Sequence, residues 1–104
     1  MGVQDIMTKM QTAFVAEQAE DLQATFQFMI TDDENFFISI DNAQCVADLG
    51  DHDDADITMS MDLDTFNEIV TGELDGMAAF MGGRLQAEGD VMLGTRLTHL
   101  FDLG

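Results

Sequence analysis

Five aspartates, Asp48, Asp51, Asp53, Asp54 and Asp56, crowd one short stretch of the chain and offer the hard carboxylate oxygens that suit calcium. An EF-hand loop places oxygen donors at positions 1, 3 and 5, Gly at 6 and Glu at 12; counted from Asp51, position 5 is Ala55 and position 6 is Asp56. That spacing fits a solvated turn between strands, where Asp side chains bond to nearby backbone, and no metal is expected. His52 lies in the same stretch and His99 far along the chain, with no partner at zinc-ligand or nucleophile-base spacing. Cys45 alternates with polar neighbours, which reads as a small side chain packed on a strand with no base to activate it. Gly82-Gly83-Arg84 and Gly89-Asp90 match neither nucleotide-binding glycine pattern. These residues predict no catalytic group, no metal and no cofactor.

Charge narrows the partners. Against 21 acidic residues stand only Lys9, Arg84 and Arg96, a net charge of −18. Phosphate backbones and anionic lipid surfaces both need Lys or Arg to be held, so no nucleic acid is expected and membrane contact is at most peripheral. No apolar run approaches the roughly 20 residues that cross a bilayer. A single cysteine and a start without a basic, then apolar, leader point to a cytoplasmic protein. Beginning at Met1 with no flanking linker, residues 1–104 read as one domain rather than an accessory to an enzyme.

The elements that must position any site follow from periodicity. Val3, Ile6, Met7, Met10 and Phe14 recur at helical spacing and predict a helix from residue 3 to about 19. Ala24, Phe26, Phe28 and Ile30 alternate with polar or flexible residues as a half-buried strand does. After the polar turn 31–35, Phe36, Ile38 and Ile40 repeat the alternation; after Asp41-Asn42-Ala43, so do Cys45, Ala47 and Leu49. Ala55, Ile57, Met59 and Met61 form a fourth strand. Asp62 or Asp64 can cap a helix with Leu63, Phe66, Ile69 and Val70 on one face and Gly72 past its end. A short helix Met77–Met81 ends at Gly82-Gly83, Leu85 and Ala87 mark a fifth strand, and Asp90 caps a last helix bearing Leu93, Leu97, Leu100 and Phe101. The order α-β-β-β-β-α-α-β-α, with one apolar face per strand, predicts helices on one side of the sheet and water on the other.

The apolar second half of the chain is rich in Met and Phe, which fill cores but also adapt to irregular ligands. Here a family comes into view. Gly72-Glu73-Leu74, then Ala79-Phe80-Met81-Gly82-Gly83-Arg84-Leu85, then Gly89-Asp90 resemble the sterol carrier protein 2 pattern of G-x-L, A-F-M-x-G-K-L and a closing G-D or G-N. The strand Ala55–Met61 and Asp64-Thr65-Phe66 are similar to that family's strand and D-x-F helix, so the resemblance covers about residues 20–103. It implies an α+β fold with a five-stranded, mainly antiparallel sheet, helices over one face and an apolar lipid tunnel between them, without catalytic residues. By position, the resemblance assigns the tunnel to Phe66, Ile69, Val70, Met77, Phe80, Met81, Leu85, Leu93, Leu97 and Leu100.

Two departures qualify the resemblance. Arg84 replaces the usual Lys and keeps its charge. The acidity opposes the basic character of the best-known members, which points away from coenzyme A phosphates and anionic membranes toward uncharged or single-chain lipids. The ending Asp102-Leu103-Gly104 also differs from the peroxisomal Ser-Lys-Leu signal.

The function expected is a non-catalytic carrier of a fatty acid, sterol-like or other lipid. The alternative is an interaction module whose groove seats a partner helix or a second copy, as a homodimer, without lipid. Whichever holds, a charge of −18 repels itself, and molar salt cuts the Debye length to about 3 Å. The melting temperature should therefore climb as salt is raised from about 0.1 M to about 1 M; a flat or falling profile in a salt titration by circular dichroism would refute the idea that the fold relies on screening.

Overall fold

The computed structural model describes residues 2–102, the side chains of Thr95 and Thr98 excepted; Met1, Leu103 and Gly104 lie outside the described residues. Helix α1 (Val3–Ala13) buries Val3, Ile6 and Met10, the residues whose spacing marked it. It stops six residues earlier than the spacing suggested. Phe14 turns extended, pairs as an isolated antiparallel bridge with Phe101, and sets its ring 5.7 Å from the Phe101 ring. Val15 N–H donates to Leu100 O at 2.8 Å and Asp102 N–H to Ala13 O at 2.9 Å, so backbone pairing with the end of the chain replaces further helical bonds. A 3₁₀ turn (Ala16–Ala19) then leads into the sheet.

Strands β1 (Ala24–Ile30), β2 (Phe36–Asp41), β3 (Gln44–Leu49), β4 (Ile57–Met61) and β5 (Gln86–Gly89) lie in the order β3-β2-β1-β4-β5. All neighbours are antiparallel except β1 and β4, which run parallel. The registers Phe26↔Ile38, Phe26↔Ile57, Ile38↔Ala47 and Met59↔Ala87 put the alternating apolar residues of all five strands on one face. Helices α1, α2 (Leu63–Val70), α3 (Gly76–Met81) and α4 (Val91–Leu100) cover that face. Phe28 and Phe36 stack with centroids 4.6 Å apart, and Phe66 of α2 tilts over both at 5.5 and 5.7 Å.

The opposite face is not wholly wet. To reach its place beside β1, the chain must return from edge strand β3 across β2 and β1, and segment 50–56 makes that passage over the far face. Gln27, which alternation assigns to water, is buried beneath it. Its amide donates to Phe36 O at 3.0 Å and Gly50 O at 3.1 Å, and its carbonyl accepts from His52 N–H at 2.6 Å. The His52 ring packs edge-on against Phe37, 5.0 Å between centroids. Asp56 completes the crossing by accepting from Thr25 N–H at 2.8 Å.

Aspartates also start the helices. Of the two candidates, Asp62 is the cap of α2: its carboxylate accepts from Thr65 N–H at 2.8 Å, and Asp32 accepts from Leu63 N–H at 2.8 Å. Hydrogen bonds from the Thr65 side chain and backbone hold the Asp62 carboxyl below the usual carboxylate range. Its contribution to stability is therefore present above the unfolded pKa and is lost as pH falls through the folded one. At the other end of the sheet unit, Gly89 sits at φ 101°, where a Cβ would lie 2.5 Å from Asp56 O. Only glycine lets β5 approach β4 there.

The β2–β3 hairpin turns on Asn42 and Ala43, both left-handed at φ 52° and 58°. A two-residue turn with both residues left-handed suits the twist of the strands, and Asn tolerates it, but Ala43 carries its Cβ into a region costing about 1–2 kcal/mol. Ala43→Gly removes that cost and adds back a smaller loss of unfolded-state order, so it should stabilise the protein by about 0.5–1 kcal/mol in urea denaturation. A destabilised variant would show that this turn is not strained.

Candidate functional site

The helices do not close over the β4–β5 half of the sheet, and a cavity of about 390 Å³ remains between them. Its floor is Phe28, Ile57, Met59 and Met61 on the strands, with Leu85 and Ala87 at β5. Phe66 and Ile69 of α2 form one wall, Gly76, Met77 and Phe80 of α3 another, and Val91, Met92, Gly94 and Leu97 of α4 the third. Met77 and Phe80, 49% and 44% exposed, face Val91 and Met92, 48% and 70% exposed, and these four half-wetted side chains mark the mouth between α3 and α4. Three of the lining residues, Gly76, Ala87 and Gly94, are too small to fill the space. Asp75, which immediately precedes α3, is the one ionisable residue in the lining. The site can remove apolar surface from water and offers one carboxylate at its edge.

Two ion pairs brace these walls. Arg84 pairs with Glu68, joining the segment before β5 to α2, within a polar surface depression beside the cavity. Arg96 on α4 bonds to Asp21 at 3.1 Å and to Gln18 O at 3.3 Å, and its guanidinium holds the Asp21 carboxyl below the usual range. Both pairs are exposed, so each contributes little energy and mainly sets position.

Residues 5–102 match the family model of the SCP-2 sterol transfer family. The chain belongs to the SCP-2 sterol transfer family. It is 31% identical over 87 residues to hydroxysteroid dehydrogenase-like protein 2 of Xenopus tropicalis, a match that covers 81% of this chain and 21% of that protein. The chain thus spans about a fifth of the curated relatives it matches. Among solved structures it is similar to sterol carrier protein 2 like 2 from Aedes aegypti (TM-score 0.76, 19% identity, 95% of each chain). It is also similar to the sec-alkylsulfatase Pisa1 from Pseudomonas sp. (TM-score 0.83, 19% identity), covering 95% of this chain and 16% of that one. At these identities the structures show the fold alone, and that fold is the one of the SCP-2 module.

Within this SCP-2 domain, the ten residues assigned by resemblance divide. Phe66, Ile69, Met77, Phe80, Leu85 and Leu97 line the cavity. Val70 and Leu100 do not; both are buried in the core, turned away from the space by the faces of α2 and α4 that pack on neighbours. Leu93 packs half-buried against the core outside the lining. Met81, at the last turn of α3, is 80% exposed because the helix ends there and leaves nothing above it. The floor residues Phe28, Ile57, Met59 and Met61 were absent from the assignment. Alternation had marked them as inward-facing, but inward does not distinguish core from cavity wall.

The groups that could do chemistry stand apart from this cavity. Among the described residues no cluster of His, Cys, Asp or Glu has metal-site geometry, and the aspartates of segment 50–56 act as turn and crossing partners. His52 accepts from Asp54 N–H through Nδ1 at 3.1 Å, and His99 is exposed on α4. Cys45, half-buried on β3 opposite Ile40, has its thiol pushed up by burial to about 11 from an ordinary 9.0. The thiolate fraction below pH 9 then falls by about a hundredfold, so iodoacetamide should alkylate native Cys45 about a hundredfold more slowly than the urea-unfolded chain at pH 8. Equal rates would overturn the burial argument.

Proposed function

We propose that this protein is a carrier that holds one apolar lipid-type molecule in the cavity between β4, β5 and helices α2 to α4, and performs no reaction on it. The observation that supports this reading is a 390 Å³ space with fifteen non-ionisable lining residues and a flexible Met and Phe mouth, in a chain of a sterol transfer family. Each methylene taken from water contributes about 0.8 kcal/mol, enough for a medium chain to bind after ordering costs. Curated relatives carry this module as about a fifth of a longer protein bearing a dehydrogenase-like name, and one solved structure of the fold is described as palmitated. The net charge of −18 supports a carrier that engages neither nucleic acid nor anionic membranes.

A second reading has one observation in its favour. The exposed Met77, Phe80, Met81, Val91 and Met92 form an apolar rim that could seat a second copy of the chain. Native mass spectrometry separates the two. After incubation with a sterol, a fatty alcohol and a fatty acid, the carrier reading expects a one-to-one ligand adduct on the monomer. Ala87→Phe, which places a ring on the cavity floor from an edge strand, should lose the adduct while keeping its circular dichroism melt. Absence of any adduct across the three classes, or an unliganded dimer alone, would refute the carrier reading.

A further inference from the structure

The mouth of the cavity is electrostatically one-sided. Asp75 precedes α3 and lines the opening; Asp90 precedes α4, immediately before the mouth residues Val91 and Met92. The Asp90 carboxylate accepts from Met92 N–H at 3.2 Å and so meets the first turn of α4 with its own negative charge. The Asp75 side chain makes no such cap bond and is exposed. Among the described residues no Lys or Arg pairs with them: Lys9 is on α1, Arg84 is paired with Glu68 in the depression beside the cavity, and Arg96 is paired with Asp21 and Gln18 O.

A ligand with one polar end enters this cavity tail first. The inner wall is the Phe28 and Phe66 side of the aromatic cluster, both rings buried, so the head group remains at the rim beside Asp75. We infer that the cavity selects apolar ligands headed by an alcohol or an amine, and turns away chains that end in a carboxylate. This inference rests on the carrier reading and names the ligand class for that same cavity. A hydroxyl or ammonium donates a hydrogen bond to a carboxylate at the rim, whereas a second carboxylate meets the like charge of Asp75.

The test compares three ligands of one chain length, dodecanol, dodecylamine and dodecanoate, by isothermal titration calorimetry at fixed ionic strength on the full chain. Wild type should bind dodecanoate roughly threefold to tenfold more weakly than dodecanol, a span set by Coulomb repulsion in a partly wet site. Asp75→Asn should narrow that ratio, and Asp75→Lys should reverse it. Asp48→Asn removes the same charge on β3, the opposite edge of the sheet, and should leave the ratio unchanged. Dodecanoate binding as well as dodecanol in wild type would overturn the inference while leaving the carrier reading intact. An equal response to Asp48→Asn would overturn it too, by assigning the preference to net charge. Failure of all three ligands to bind would overturn the carrier reading and this inference with it.

Discussion

One apolar face of the sheet has to be covered, and the helices cover it unevenly. Over the other half, α1 packs on β3 and against α2, and α2 sets Phe66 on Phe28 of β1 and Phe36 of β2 at close-packed distances. Over β4 and β5 the cover is the six-residue α3 and the ten-residue α4, where Gly76 and Gly94 on the helices and Ala87 on β5 leave the space between them unfilled. Protein interiors fill space to crystal-like density, so a gap of about 390 Å³ marks this half of so small a domain as incompletely packed. The same apolar face is thus core at one end and container at the other.

The acidic composition is partly structural. Asp32, Asp56, Asp62 and Asp90 each accept a backbone N–H at the start or edge of an element, where the backbone would otherwise lack a partner. Asp is the shortest side chain that can do this while remaining charged and wet. The remaining carboxylates lie on the surface, and the ion pairs found among the described residues engage only Glu68 and Asp21. The protein's net charge of −18 therefore stays largely unpaired at the surface, and Asp75 brings part of it to the cavity mouth.

Much of this architecture was legible from spacing. Alternation at Phe26, Ile38 and Ile57 identified the inward face of each strand because a strand's side chains repeat every second residue whatever the neighbours are. Helix faces and ends followed from period and caps, Asp62 and Gly72 above all. The end of α1 did not, because Phe14 continues the helical period and only its pairing with Phe101, 87 residues away, turns it extended. Gln27 was misread for a similar reason: a glutamine in an alternating strand belongs in water unless another segment crosses over it, and the crossing segment 50–56 is distant in sequence.

Sequence alone therefore determined the elements, their inward faces and, through the family's motifs around Gly72 and Gly89, the kind of fold. Tertiary structure decided which inward residues are core and which line a cavity, separating Leu97 from Leu100 and Ile69 from Val70. It also placed Asp75 at the mouth. Periodicity reports the direction a side chain points from its own element; whether it meets another side chain or a void depends on how far away the opposing element packs, a distance that no local spacing encodes.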